Sequence, residues 1–153
     1  MGPYFDLTGK TVIITGGSKG LGENMGYALA EAGADLALVS RTQADLDAAS
    51  AAMRAASGRK VIGIAADVTK EADIAMMVQK VMAEFGKIDV LINNAGIGGT
   101  TPVLDLKAEE WDRYMNLNLK GPVRCSKHVG AEMIKRKQGN IINISSLFAK
   151  MVA

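Results

Sequence analysis

Short, uniformly apolar runs alternate along this chain with longer stretches whose apolar residues recur every three or four positions. Residues 11–15 (TVIIT), 35–40 (DLALVS), 60–66, 88–93 and 140–145 (NIINIS) read as strands. Between them, residues 21–32, 42–56 and 70–85 carry helical periodicity. The third of these places Ile74, Met77, Val78, Val81 and Phe85 on one stripe. A longer helical stretch over 108–137 is interrupted by Gly121-Pro122. Thr42 and Asp45 have the spacing of a capping box at the start of the second helix. Strands alternating with helices in this way predict βαβ units and a parallel sheet. The unbroken apolar strands predict helices on both faces. The pattern reads as a single α/β domain over residues 1–153.

The first strand runs into Thr15-Gly16-Gly17-Ser18-Lys19-Gly20-Leu21-Gly22, and a helix follows directly. Helix-start amides point outward unpaired, and the helix dipole makes that end an anion site. Glycines let a pyrophosphate approach the backbone with no Cβ in the way. The strand–turn–helix setting gives the motif its weight, since glycine spacing alone would be a plain turn. A second candidate, Gly9-Lys10-Thr11, fails as a phosphate-binding P-loop. Tyr4 stands where its first glycine belongs, and the run precedes a strand instead of following one.

In a dinucleotide fold the end of the second strand faces the adenosine ribose, where an acid would hold the 2′-hydroxyl. Here that place is Ser40-Arg41, and Lys19 in the glycine turn is a second cation. Two cations without a carboxylate predict a phosphorylated ribose, hence NADP with NAD as the alternative. The competing reading makes Arg41 and Lys19 solvated loop residues.

Composition removes other classes. One cysteine, Cys125, cannot form an internal disulfide, which argues for a reducing, cytoplasmic setting. With one histidine, His128, it is a poor basis for zinc, so no metal site is expected. No apolar run approaches the roughly 18 residues of a membrane helix. A formal charge of +2 does not call for nucleic acid. Aromatic residues are only 5%, while there are 17 glycines and 9 methionines, so the core is aliphatic and the backbone makes close approaches.

These motifs, in order, resemble the short-chain dehydrogenase/reductases over essentially the whole chain. Gly16, Gly20 and Gly22 follow the TGxxxGxG spacing of that family's single-domain branch. Asp67-Val68 looks like its adenine-contacting pair, and Asn93-Asn94-Ala95-Gly96 like its NNAG motif. Asn118 matches its structural and proton-relay asparagine, and Ser146, after Ser145, its catalytic serine. The resemblance implies a Rossmann-type doubly wound sheet of order 3-2-1-4-5 with the family's C-terminal strands absent. It implies a cofactor site of Gly16, Ser18, Lys19, Gly20, Leu21, Gly22, Ser40, Arg41, Asp67, Val68, Asn94, Ala95 and Gly96. The substrate it implies is a small alcohol or carbonyl compound such as a sugar acid, polyol or 3-oxoacyl compound. Independently of the family, small residues at Ala95 and Gly96 leave room at the carboxyl ends of the strands. A serine at the end of the fifth strand can stabilise charge developing on a carbonyl oxygen. Ser146 can also be a turn residue, and Asn118 a satisfied amide on a kinked helix beside Gly121.

The chain departs from the family at its end. The Tyr-x-x-x-Lys pair belongs to the next helix, past Ala153, and none of Tyr4, Tyr27 or Tyr114 replaces it. Two expectations follow: the N-terminal part of an oxidoreductase, or an inactive dinucleotide-binding or assembly module. Retention of Asn118 and Ser146 favours the first. Ile141, Ile142 and Ile144 would lie in an exposed edge strand, so the 153-residue chain is expected to self-associate. By resemblance the full-length protein is a homodimer or tetramer, with the helix around residues 118–137 in its interface.

Overall fold

A computed structural model describes residues 5–146; Tyr4 lies outside them. The strands are β1 (Thr11–Thr15), β2 (Asp35–Ser40), β3 (Val61–Ala65), β4 (Val90–Asn93) and β5 (Asn140–Asn143). They form one parallel sheet of order β3-β2-β1-β4-β5. The helices are α1 (Gly20–Glu31), α2 (Gln43–Ser57), α3 (Glu71–Phe85), α4 (Ala108–Tyr114) and α5 (Gly121–Arg136). This is the parallel βαβ sheet predicted from the alternation of elements, in the doubly wound, Rossmann-like order that the family resemblance implies.

Alternate residues of a strand point to opposite faces, and the packing follows that rule. Ile13, Val39 and Leu91 join a core with Ile74, Met77 and Val81 of α3 and Cys125 and Val129 of α5. Val12, Ile14, Leu36, Leu38 and Ile92 join a second core with Ala30 of α1 and Leu46 and Met53 of α2. Each buried aliphatic side chain contributes about 1.5–3 kcal/mol, and β1, central and wholly buried, draws on both cores. Cys125 is 1% exposed, and burial pushes its thiol up to about 12, so it acts as a small apolar core residue.

Three local expectations need correction. Thr42 precedes α2 but makes no side-chain capping bond; Asp45 turns away to pair with Lys19. The long helical stretch does not break at Gly121-Pro122. It passes through a π-helical segment, Met115–Lys120, whose wider turn takes up the irregularity before α5 begins. Pro122 sits in the first turn of α5, where its missing N–H costs nothing. β5 ends at Asn143, short of the predicted Ser145.

β5 is one of the two edge strands of the described sheet, with Ile142 46% and Ile141 39% exposed. Polar side chains help set its register: buried Asn93 donates from Nδ2 to Asn143 Oδ1 at 2.8 Å and to Ser126 Oγ of α5 at 3.2 Å. At the amino ends of the strands, Asp89 is 3% exposed yet fully engaged. It accepts the Thr11 N–H at 2.9 Å, pairs with Arg136 at 3.1 Å and lies 3.5 Å from Lys87 Nζ.

Candidate functional site

At the carboxyl ends of the strands the sheet opens. Thr15 and Val39 are register partners, so the segments leaving β1 and β2 run side by side, joined by a 2.7 Å bond from the Gly16 N–H to the Val39 carbonyl. Gly16 has φ +67°, and an added Cβ would meet Asn94 Nδ2 at 2.9 Å. At Gly22, in the first turn of α1, a Cβ would lie 2.1 Å from the Gly16 carbonyl oxygen. The turn and helix therefore approach as closely as bare backbone permits. α1 begins after Lys19 with no side-chain cap, so its first amides remain available to an anion.

The turn is braced from β4. Thr15, buried at the end of β1, accepts the Asn94 and Ala95 N–H groups on Oγ1, each at 3.0 Å. Asn94 Nδ2 in return donates to the carbonyls of Thr15 (3.0 Å) and Gly16 (3.3 Å). From the π-helical segment, Asn118 holds both sides of the Ile97 peptide. Its Oδ1 accepts the Ile97 N–H at 2.9 Å and its Nδ2 donates to the Ile97 carbonyl at 2.8 Å. The loop after β4 is thus clamped at the turn and at the helix.

Among the predicted site residues, Gly16, Ser40, Arg41, Asp67, Val68, Ala95 and Gly96 line one cavity of about 150 Å³. Val39, Ala66, Ile97 and Leu117 line it too and were not predicted. They adjoin predicted residues along the chain, a signal that strand-end position alone could have supplied. Thr15 was also missed, although a threonine closing an apolar strand beside a glycine turn is a cue for such a brace. A neighbouring hollow of about 300 Å³ shares Arg41, Ala66 and Asp67 and adds Lys70 and Asp73. Ser18, Lys19, Gly20, Leu21, Gly22 and Asn94 build the turn and its brace without lining either space. Asn118 stands behind Gly96, whose added Cβ would lie 3.3 Å from its Oδ1. Ser146 is exposed beyond β5 and lines neither space.

The charges here are only partly balanced. Arg41 and Lys70 form no ion pair among the described residues. Ser40 Oγ is buried with no hydrogen-bond partner among the described residues. Burial works to raise the Asp67 carboxyl, but hydrogen bonds from Thr69 and the charges of Lys70 and Arg41 outweigh it and hold the group below the ordinary value. Asp67 is therefore an anion committed to its own loop. A bare glycine cradle, an uncapped helix start, an orphaned hydroxyl and unpaired cations fit a phosphorylated dinucleotide.

Tyr114 donates its hydroxyl to Glu110 Oε1, and that bond raises the phenol above its usual value. Tyr27 packs against the core between β1, α1 and α2. Neither opens into the cavity.

Comparison with known proteins agrees with this geometry. A family model described as short chain dehydrogenase matches residues 10–153. The 2-dehydro-3-deoxy-D-gluconate 5-dehydrogenase of Formosa agariphila is 36% identical over 147 residues, spanning 96% of this chain and 56% of that protein. A 3-oxoacyl-(acyl-carrier-protein) reductase of Staphylococcus epidermidis is 34% identical over 142 residues, spanning 93% of this chain and 58% of that one. L-sorbose reductase from Gluconobacter frateurii, solved with NADPH and L-sorbose, superimposes with a TM-score of 0.91 at 31% identity. That superposition covers 95% of this chain and 56% of the other. The chain thus spans little more than half the length of the relatives it matches.

Proposed function

The chain belongs to the short chain dehydrogenase family, and on that premise we propose that it carries the cofactor-binding part of an oxidoreductase using NADP, with NAD as the alternative. The observation that carries this reading is the cradle from Gly16 to Gly22, opening beside an Arg41 that has no ion pair among the described residues. Ser18, Gly20, Leu21 and Gly22 would offer backbone amides to the pyrophosphate, while Gly16, whose amide is held by the Val39 carbonyl, would leave room for it. Ser40, Arg41 and Lys19 would hold the ribose phosphate, the guanidinium by paired hydrogen bonds. Asp67 and Val68 would border the adenine. Asn94, Ala95 and Gly96 would close the floor, with small side chains that leave space for the ring.

The bound nicotinamide supplies or accepts the hydride. Ser146 would donate to the substrate oxygen and stabilise the charge that develops there. Asn118, held by Ile97, would keep the loop over the cofactor in place and support a water relay. Neither Tyr114 nor Tyr27 lines the cavity; by the family resemblance the proton would be carried by a Tyr-x-x-x-Lys pair. The relatives favour an alcohol or carbonyl substrate of the sugar-acid, polyol or 3-oxoacyl kind. We further infer a cytoplasmic homo-oligomer, a dimer or tetramer.

Fluorescence titration with NADPH and NADH tests the cofactor reading. NADPH should bind about tenfold more tightly, the worth of one charge-assisted contact. Equal binding, or tighter NADH, overturns the NADP preference; no binding of either overturns the site.

A further inference from the structure

Lys19 and Asp45 stand on different elements and form an ion pair, Lys19 in the glycine turn that follows Thr15 and Asp45 in the helix that follows Arg41. Lys19 lies in the glycine turn before α1, with its side chain 72% exposed, and its Nζ is 2.8 Å from Asp45 Oδ2 in the first turn of α2. Arg41, at the junction of β2 and α2, has no ion pair among the described residues and lines both hollows. The two cations that could hold a ribose phosphate are therefore not equivalent. Arg41 has no ion pair among the described residues, whereas Lys19 is held in one by Asp45. Asp45 is available for this because it takes no part in capping α2, where Thr42 makes no side-chain bond.

We propose that Asp45 is a specificity-determining residue that withholds Lys19 from the ribose 2′-phosphate and so moderates the preference for NADP. This rests on reading the site as one that takes a phosphorylated ribose. A phosphate dianion held by Arg41 competes with the Asp45 carboxylate for the same ammonium. The Lys19 stem is long and exposed enough to change partners without disturbing the fold. An exposed ion pair shifts such an equilibrium by up to about fivefold, and a carboxylate near a bound dianion adds repulsion of the same sign. A ligand without the 2′-phosphate makes no demand on Lys19 and is indifferent to Asp45.

Isothermal titration calorimetry of the full chain with 2′,5′-ADP and 5′-AMP tests this, using the wild type, Asp45→Asn, Lys19→Met and the double variant. Asp45→Asn should bind 2′,5′-ADP about three- to tenfold more tightly and 5′-AMP within about twofold of wild type. In the Lys19→Met background the gain should fall below about twofold, because the cation that Asp45 withholds is gone. Unchanged or weaker 2′,5′-ADP binding by Asp45→Asn overturns the proposal. So does a gain that persists undiminished without Lys19, which would make Asp45 a mere repulsive charge. If the wild type fails to prefer 2′,5′-ADP over 5′-AMP, the NADP reading falls separately. Asp45→Asn then still decides the present proposal, by whether it creates that preference. Asp45→Glu, which keeps the charge, should bind as wild type does and guards against a fault of folding.

Discussion

The two ends of the sheet treat polar groups in opposite ways. At the amino end, buried Asp89 is saturated by the Thr11 amide, Arg136 and Lys87, and Arg59 pairs with Asp35 at 2.8 Å. At the carboxyl end, among the described residues, Arg41 and Lys70 lack ion-pair partners, Ser40 Oγ has no hydrogen-bond partner and α1 starts without a side-chain cap. A buried polar group left without a partner costs about 1–3 kcal/mol. The amino end meets most of its polar groups inside the chain, although Arg59 Nε is buried there with no hydrogen-bond partner among the described residues. The carboxyl end leaves its donors open, so on the proposed function the same sheet separates stability from binding.

Substitutions at the two ends should break stability and affinity independently. The largest effect is expected at Asp89. Asp89→Ala strands Arg136 and the Thr11 amide and should cost about 3 kcal/mol, read as a lower midpoint in urea. The pH dependence sharpens it. Burial pushes the Asp89 carboxyl up, but the Thr11 amide, Arg136 and Lys87 prevail and hold it below its ordinary value. Its contribution is therefore complete above the unfolded pKa of about 4 and is lost as the pH falls through the lowered folded value. Asp89→Asn should flatten acid unfolding in that window; an unaltered acid limb would show that the Asp89 network is not what the acid titrates.

Gly22→Ala crosses between the two properties. Its methyl group would meet the Gly16 carbonyl at 2.1 Å, so the turn must move. Stability should fall by about 1–3 kcal/mol, and dinucleotide binding should drop beyond detection in the fluorescence titration. Arg41→Ala should do the reverse of Asp89→Ala. NADPH binding should weaken about tenfold, with NADH within about twofold and unfolding within about 0.5 kcal/mol of wild type. A large loss of stability there would refute the division between the ends. The smallest effect belongs to Lys87→Met, since Lys87 is partly exposed and 3.5 Å from Asp89. About 0.5 kcal/mol is expected, and less in high salt.

Much of this was legible in residue order. Val12, Ile13 and Ile14 announce a strand covered on both faces because each successive residue is apolar, and both cores form as that implies. Gly16, Gly20 and Gly22 announce the cradle because only glycine tolerates the approach seen at Gly22. The exposed β5 edge followed from the same strand order, and its self-association is open to ultracentrifugation of the 153-residue chain. Less legible were contacts between residues distant along the chain. Asp45 has the spacing of a local cap, yet the Lys19 ammonium from the glycine turn takes its carboxylate instead. Gly121-Pro122 looks like a break, yet the irregularity is absorbed earlier, in Met115–Lys120, where Asn118 grips Ile97.

Periodicity and glycine placement by themselves determined the element order, the sheet class and the end of the sheet that would open. They could do so because burial on two faces and backbone clearance are local demands on residue type. Tertiary structure alone decided which polar groups are spent and which remain free. Pairing depends on which side chains arrive at the same place, and the parallel crossovers bring Lys19 to Asp45 and Arg136 to Asp89 while leaving Arg41 without an ion pair among the described residues.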